Sequence, residues 1–167
     1  MRTPARILIV DDNPMNVDIL QSCLAFHGYE IITAADGEEA LATAREQQPD
    51  LILLDIMMPK LDGLEVCRRL KKDPSLPFMP IILVTAKADS KDVVAGLGAG
   101  ADEYLTKPVD QDALVARVRS MLRIKNLHDT TEHLAAQLAG WNKTLEQRVQ
   151  EQVAQLERLG RLKRFFS

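Results

Sequence analysis

Asp55 ends an apolar run, Leu51-Ile52-Leu53-Leu54, and is followed by Ile56-Met57-Met58-Pro59. The pattern recurs along the chain. Asp11 and Asp12 follow Ile7-Leu8-Ile9-Val10, Thr85 follows Ile81-Ile82-Leu83-Val84, and Lys107 follows Tyr104-Leu105-Thr106. Carboxylates, a hydroxyl and an ammonium therefore all stand where predicted strands end. Gathered at one site, they support phosphoryl transfer to a carboxylate, because a carboxylate can act as a nucleophile and form an acyl phosphate.

Asp55 is the candidate nucleophile. The pair Asp11-Asp12 has two readings: one acid caps the next helix while the other is solvated, or both join Asp55 around a cation. Three carboxylates in a small volume raise one another's pKa and favour a bound cation. An all-oxygen set with few carboxylates suits Mg²⁺, and the backbone carbonyl of Met57 would add one more oxygen. Lys107 would offer a positive charge to phosphoryl oxygens. Its alternative is a surface lysine before a turn, which its place before Pro108 at a strand end disfavours. Thr85 would donate its hydroxyl to a phosphoryl oxygen, although a threonine there also serves purely structural roles.

These residues need a scaffold that brings strand ends together. Residues 7–10 are a continuous Ile, Leu and Val run, the pattern of a strand buried on both faces. Asn13-Pro14 offers a helix start, with a stripe through Val17, Leu20 and Leu24 and a stop at Gly28. A second strand covers 30–34. Asp36-Gly37-Glu38-Glu39 opens a second helix that Pro49 ends. The third strand is 51–55, and Asp62-Gly63 leads into a helix through Leu64, Val66, Cys67 and Leu70. Residues 73–80, with three prolines, form a loop. The fourth strand is 81–85, a helix lies around 90–98, a short fifth strand covers about 103–106, and Asp110 caps the last helix. Five alternations of strand and helix predict an α/β fold: a five-stranded parallel sheet, doubly wound, with helices on both faces. Such sheets place their sites at the carboxyl ends of the strands, beside the topological switch point.

The 167-residue chain has room for one domain and an extension. Residues 1–123 hold 14 Lys and Arg against 19 Asp and Glu, and the remainder holds 7 against 5. An acidic globule with a mildly basic tail fits a cation site plus an interaction element, and argues against nucleic acid as the main partner. Cys23 and Cys67 sit in helical patterns without metal spacing and read as buried, reduced thiols. No stretch approaches the roughly 20 apolar residues of a membrane span. The apolar run at 7–10 is too short for a signal peptide. The expected location is cytoplasmic, with no membrane partner.

Taken together, Asp11-Asp12, Asp55 with Met58-Pro59 and Asp62-Gly63, Thr85-Ala86, Gly100-Ala101-Asp102, Tyr104 and Lys107-Pro108 resemble the receiver domain of bacterial two-component response regulators, over residues 5–123. The resemblance implies the flavodoxin-like strand order 2-1-3-4-5. It also implies a phosphoryl group accepted by Asp55 from a phosphohistidine on a sensor histidine kinase or phosphotransfer protein. Mg²⁺ would be held by Asp11, Asp12, Asp55 and the Met57 carbonyl, and Thr85 and Tyr104 would form a switch pair. It implies a cis Lys107-Pro108 bond and no enzyme activity beyond self-phosphorylation and self-dephosphorylation. Two other readings compete. A phosphohydrolase of the haloacid dehalogenase type shares the Asp, Lys, hydroxyl and Mg²⁺, but carries a second acid two residues after its nucleophile, where this chain has Met57. A phosphorylation-independent dimerisation scaffold predicts that Asp55→Ala changes nothing.

No proline follows Pro108. The helical pattern runs on through Leu114, Val115, Val118 and Leu122. Leu127, Leu134, Leu138, Trp141 and Leu145 then recur at heptad-like spacings, and Val149, Val153, Leu156, Leu159 and Leu162 continue less regularly, like a stutter. About 45 further helical residues would span roughly 65 Å. The expected organisation is a receiver over 1–123 and an extended helix over 124–167. That helix pairs as a parallel homodimeric coiled coil leading to an output domain outside this chain. The alternative is a helix folded back or frayed. His128 and His133, five apart, read as residues on a solvated face. The closing segment Leu162-Lys163-Arg164-Phe165-Phe166-Ser167 resembles the stretch before class III adenylate or guanylate cyclase domains; a diguanylate cyclase or histidine kinase output is the alternative.

Overall fold

A computed structural model describes residues 3–86 and 90–167. Five strands, β1 (Arg6–Val10), β2 (Glu30–Ala34), β3 (Leu51–Asp55), β4 (Ile81–Thr85) and β5 (Glu103–Thr106), alternate with five helices. The helices are α1 (Pro14–Phe26), α2 (Gly37–Gln47), α3 (Gly63–Lys72), α4 (Ser90–Gly98) and α5 (Gln111–Phe165). The sheet is parallel throughout, in the order β2-β1-β3-β4-β5. This is the doubly wound, flavodoxin-like arrangement with a long C-terminal helix that the sequence predicts.

Strand alternation divides the core into two layers. Leu8, Val10, Ile52, Leu54, Ile81 and Leu83 face one side, against Ala40, Leu41 and Ala44 of α2 and Val66, Cys67 and Leu70 of α3. Ile7, Ile9, Leu51, Leu53 and Ile82 face the other, against Leu20 and Leu24 of α1 and Leu114, Val118 and Leu122 of α5. Every residue of β3 and β4 is buried, which is why those strands read as unbroken apolar runs rather than alternating ones.

Local chemistry sets the helix ends. Asn13 caps α1 by accepting from Met15 N, and Pro14 fills the first turn. Neither Asp11 nor Asp12 is the cap. Gly28, just past α1, adopts φ +83°, a left-handed conformation that costs glycine little. Asp36 accepts from Glu39 N while Glu39 accepts from Ala35 N, a reciprocal arrangement at the start of α2. That helix ends at Gln47, ahead of Pro49; its C-cap Gln48 adopts φ +44°, and the Gln48 amide donates to Ala44 O. Asp62 and Asp110 cap α3 and α5 through Glu65 N and Ala113 N.

The chain forms two compact units, one ending at His128 and one spanning Asp129–Ser167. In the first, α5 buries Leu114, Val115, Val118, Met121, Leu122 and Lys125. The expectation that His128 lies on a solvated face is corrected. Its ring stacks on Phe78 of the loop before β4, with centroids 4.4 Å apart, because the three-proline loop carries an aromatic ring against the helix. In the second unit α5 stays helical through Gly140 and Gly160, and every residue from Thr130 onward is exposed. Cys23 and Cys67 are buried free thiols. Among the described residues no helix is long and apolar enough to cross a membrane.

Candidate functional site

Strand register builds the site. Val10 of β1 stands opposite Leu54 of β3, so Asp11 and Asp55 leave the sheet side by side. Asp55 pairs with Val84, so Thr85 lies one residue further along on β4. Thr85 pairs with Thr106, and the amide of the next residue, Lys107, donates to Thr85 O at 2.8 Å. The strands flanking the β1–β3 boundary thus deliver carboxylates, and the next two deliver the hydroxyl and the ammonium. This boundary is where the strand order reverses, the position at which doubly wound sheets bind ligands.

Asp11, Asp12 and Asp55 each offer a carboxylate oxygen, and these oxygens lie within 4.8 Å of one another. Asp11 and Asp55 are buried and Asp12 is exposed. Lys107 Nζ reaches both buried acids, 3.0 Å from Asp11 Oδ2 and 3.4 Å from Asp55 Oδ2. Asp11 also accepts from Asn13 N at 2.8 Å and from Asn16 Nδ2 at 3.1 Å. Asp55 accepts from Met57 N at 3.3 Å. The sequence reading missed Asn16. The available signal was its place in the first turn of α1, where it looks back at the end of β1.

Burial raises the Asp55 pKa, the Asp11 charge adds to the rise, and Lys107 opposes both. For Lys107, burial pulls the pKa down, but its contacts with Asp11 and Asp55 together outweigh that and the net shift is upward. The site is a buried carboxylate pair held by one ammonium, with a third carboxylate at its exposed rim. Such an all-oxygen donor set fits a hard divalent cation. Alongside it, a cleft of about 330 Å³ is lined by Asp11, Asp12, Pro14, Val17, Asp18 and Thr33–Ala35.

Tyr104 is half-buried against the core layer that contains Leu83. Thr85 and Tyr104 both line a cavity of only about 10 Å³ with Leu83, Gly96 and Leu97. The Lys107-Pro108 peptide is cis. The side chain of Met57 is exposed, and at the position two residues after Asp55 it offers a thioether rather than a carboxyl.

A family model described as the response regulator receiver domain matches residues 7–119. The chain belongs to the response regulator receiver family. Membership implies two-component phosphorelay signalling and a phosphodonor of the histidine-kinase or phosphotransfer kind. The acidic cluster supports phosphoacceptor chemistry. The matched domain is a receiver and not a catalytic output domain. Response regulator PleD of Caulobacter vibrioides is 50% identical over 125 residues, covering 75% of this chain and 28% of that protein. The alkaline phosphatase synthesis transcriptional regulatory protein PhoP of Bacillus subtilis is 49% identical over 118 residues, covering 71% and 48%. The matches thus span between about a quarter and a half of the length of these curated relatives. Among solved structures, a CheY-like receiver domain protein of Methanospirillum hungatei is 36% identical with a TM-score of 0.67, covering 73% of this chain and 96% of that one. Chemotaxis protein CheY4 of Vibrio cholerae is 32% identical with a TM-score of 0.67, covering 70% and 98%.

Proposed function

We propose that this receiver is a phosphorylation-dependent signalling module in which Asp55 accepts a phosphoryl group from a phosphohistidine of a sensor kinase or phosphotransfer protein. The observation that carries this reading is the buried Asp55 carboxylate held within reach of Asp11 and Lys107 at the strand ends. An Asp55 oxygen forms the new O–P bond while the N–P bond to the donor imidazole breaks, and the electron pair returns to that nitrogen. Met57 N and Lys107 fix the orientation of Asp55. Lys107 and the Thr85 hydroxyl hold the transferred phosphoryl oxygens.

Asp11, Asp12 and Asp55, with the Met57 carbonyl, would hold Mg²⁺. When bound, this ion supplies charge neutralisation for three carboxylates and a phosphoryl group. A thioether at Met57 cannot serve as a general acid, so turnover of small phosphate esters is not expected.

Phosphorylation adds nearly two negative charges and new acceptor oxygens. Thr85 turns toward them, and Tyr104 fills the space that Thr85 leaves. The cavity that both residues line is too small for an aromatic ring as it stands, which supports reading the pair as a two-position element biased by local charge. The change passes along α5, in a homodimer paired through that helix, to an output domain. A nucleotidyl cyclase is the output assigned from Leu162–Ser167 alone.

The test is incubation of the protein with acetyl phosphate and Mg²⁺, followed by peptide mapping of hydroxylamine-labile modification. A labile adduct on Asp55, absent from Asp55→Asn, is expected. Modification elsewhere, or steady release of phosphate from a small ester such as p-nitrophenyl phosphate, would overturn the reading.

A further inference from the structure

Eleven residues separate Leu134 from Leu145 and Leu145 from Leu156, and the same step links Leu127, Leu138 and Val149. All six lie on the unbroken helix α5 and are between 53% and 68% exposed. Trp141, 64% exposed, sits between the two ladders. On a straight helix an 11-residue step advances the stripe by about 20°, whereas a heptad step sets it back by about 20°. At about 100° per residue, the two ladders and Trp141 stay within a sector of roughly 80° from residue 127 to 156.

A strict heptad seam behaves differently here. Continued from Leu134, Leu138, Trp141 and Leu145, it reaches Arg148, Gln152 and Gln155, three polar residues. From the same four residues the 11-residue step reaches Leu145, Val149, Gln152 and Leu156, three apolar and one polar. Between Leu127 and Leu156 the apolar period is therefore eleven, which calls for a nearly straight, slightly right-handed pair there rather than a left-handed one.

We infer that the segment from Leu134 to Leu156 pairs in parallel and in register with the same segment of a second copy of this chain, through an 11-residue repeat. This rests on the homodimer assigned above and specifies its geometry. Nothing within Asp129–Ser167 covers the stripe, since every residue from Thr130 onward is exposed. Each leucine-sized side chain carries on the order of 100 Å² of apolar surface. Two copies of this stripe, with their flanking stems, bury roughly 1,000 Å² in total, the size at which specific interfaces begin. A second copy is also the partner that matches the ladder level by level, placing Leu against Leu, Trp141 against Trp141 and Gln152 against Gln152. A polar residue at one level of such a seam fixes register. Antiparallel pairing about the midpoint of the ladder would instead lay the partner's last residues along positions 116–126 of α5. That stretch already buries Val118, Met121, Leu122 and Lys125 within its own unit.

The test is disulfide cross-linking of the full chain carrying R148C, V149C, Q155C or L156C. The unmodified chain, whose own two cysteines are buried, serves as background, and sedimentation equilibrium gives the mass of each. Bridging needs Cβ atoms about 4 Å apart, so V149C and L156C are expected to cross-link about fivefold or more faster than R148C and Q155C. Faster bridging by R148C and Q155C would overturn the 11-residue repeat and leave the dimer standing. No bridging in a chain that sediments as a dimer would overturn the parallel register. No bridging in a chain that sediments as a monomer would overturn the homodimer itself, and this inference with it.

Discussion

Lys107 stands between two buried carboxylates, with Nζ 3.0 Å from Asp11 Oδ2 and 3.4 Å from Asp55 Oδ2. One ammonium thus supplies part of the positive charge that this carboxylate cluster calls for. Removing it leaves Asp11 and Asp55 facing each other uncompensated. Lys107→Ala is expected to lower stability without divalent ions by about 2 kcal/mol, below the usual cost of breaking a buried pair because the ammonium is partly exposed. The same variant should bind Mg²⁺ about tenfold more tightly, since a nearby positive charge is gone. It should respond less to beryllofluoride, an aspartyl-phosphate mimic. Urea melts and Mg²⁺ titrations check this; unchanged Mg²⁺ affinity would mean that Lys107 is not electrostatically coupled to the cluster.

Gly63 supports the nucleophile from below. A Cβ there would run into the Asp55 carbonyl and come within 2.8 Å of Ile56 Cα. Gly63 N also donates to Ile56 O at 3.0 Å. No flexible side chain stands at that contact to give way, so Gly63→Ala must displace the backbone that carries Asp55. A loss of about 2–4 kcal/mol is expected, together with weaker Mg²⁺ binding. Thermal melts with and without Mg²⁺ measure both. Wild-type stability with wild-type metal affinity would refute the contact.

The sheet and the site were legible because both rest on period and position. Strands buried on two faces are written as unbroken apolar runs, and the residue after each run is the one that leaves the sheet. Asp11, Asp55 and Thr85 needed only that rule, whereas Lys107 follows the partly exposed edge strand β5 and was read from its place before Pro108. Residues whose roles come from tertiary packing were not legible. Asn16 reaches Asp11 because α1 starts close to β1. Lys125 is buried within a helix that buries mostly apolar side chains. His128 meets Phe78 across 50 residues of sequence. For His128 the partner lies in the loop before β4, and no spacing along the chain encodes it.

Cys67 is fully buried on the core-facing side of α3, and burial pushes its thiol up to about 11 from the ordinary 9.0. The folded protein therefore holds this proton more tightly than the unfolded chain. The stabilisation is complete below pH 9.0 and is lost as pH rises toward about 11. Cys67 should account for a decline on the order of 2 kcal/mol across that window. Urea unfolding at several pH values, compared with Cys67→Ala, isolates its share. Identical slopes in the two proteins would rule it out. At neutral pH the native thiol should react with a thiol reagent only as fast as the protein opens.

The Phe78–His128 stack closes the first compact unit at its last residue. The rings are 4.4 Å apart and 28° from parallel. Lys71 Nζ lies 4.8 Å from the Phe78 centroid while bound to Asp102 Oδ2 at 2.6 Å and to Met79 O at 3.0 Å. Asp102 in turn accepts from Ile81 N at 2.8 Å, so the ring that holds α5 is tied to the start of β4. A double-mutant cycle of Phe78→Ala and His128→Ala is expected to give a coupling of about 0.5–1.5 kcal/mol. Either single substitution should also raise amide exchange in α5 near Met121–His128 while leaving β3 protected, because local opening follows local packing. If the two losses simply add, and exchange in that stretch of α5 is unchanged, the rings are neighbours without holding the helix.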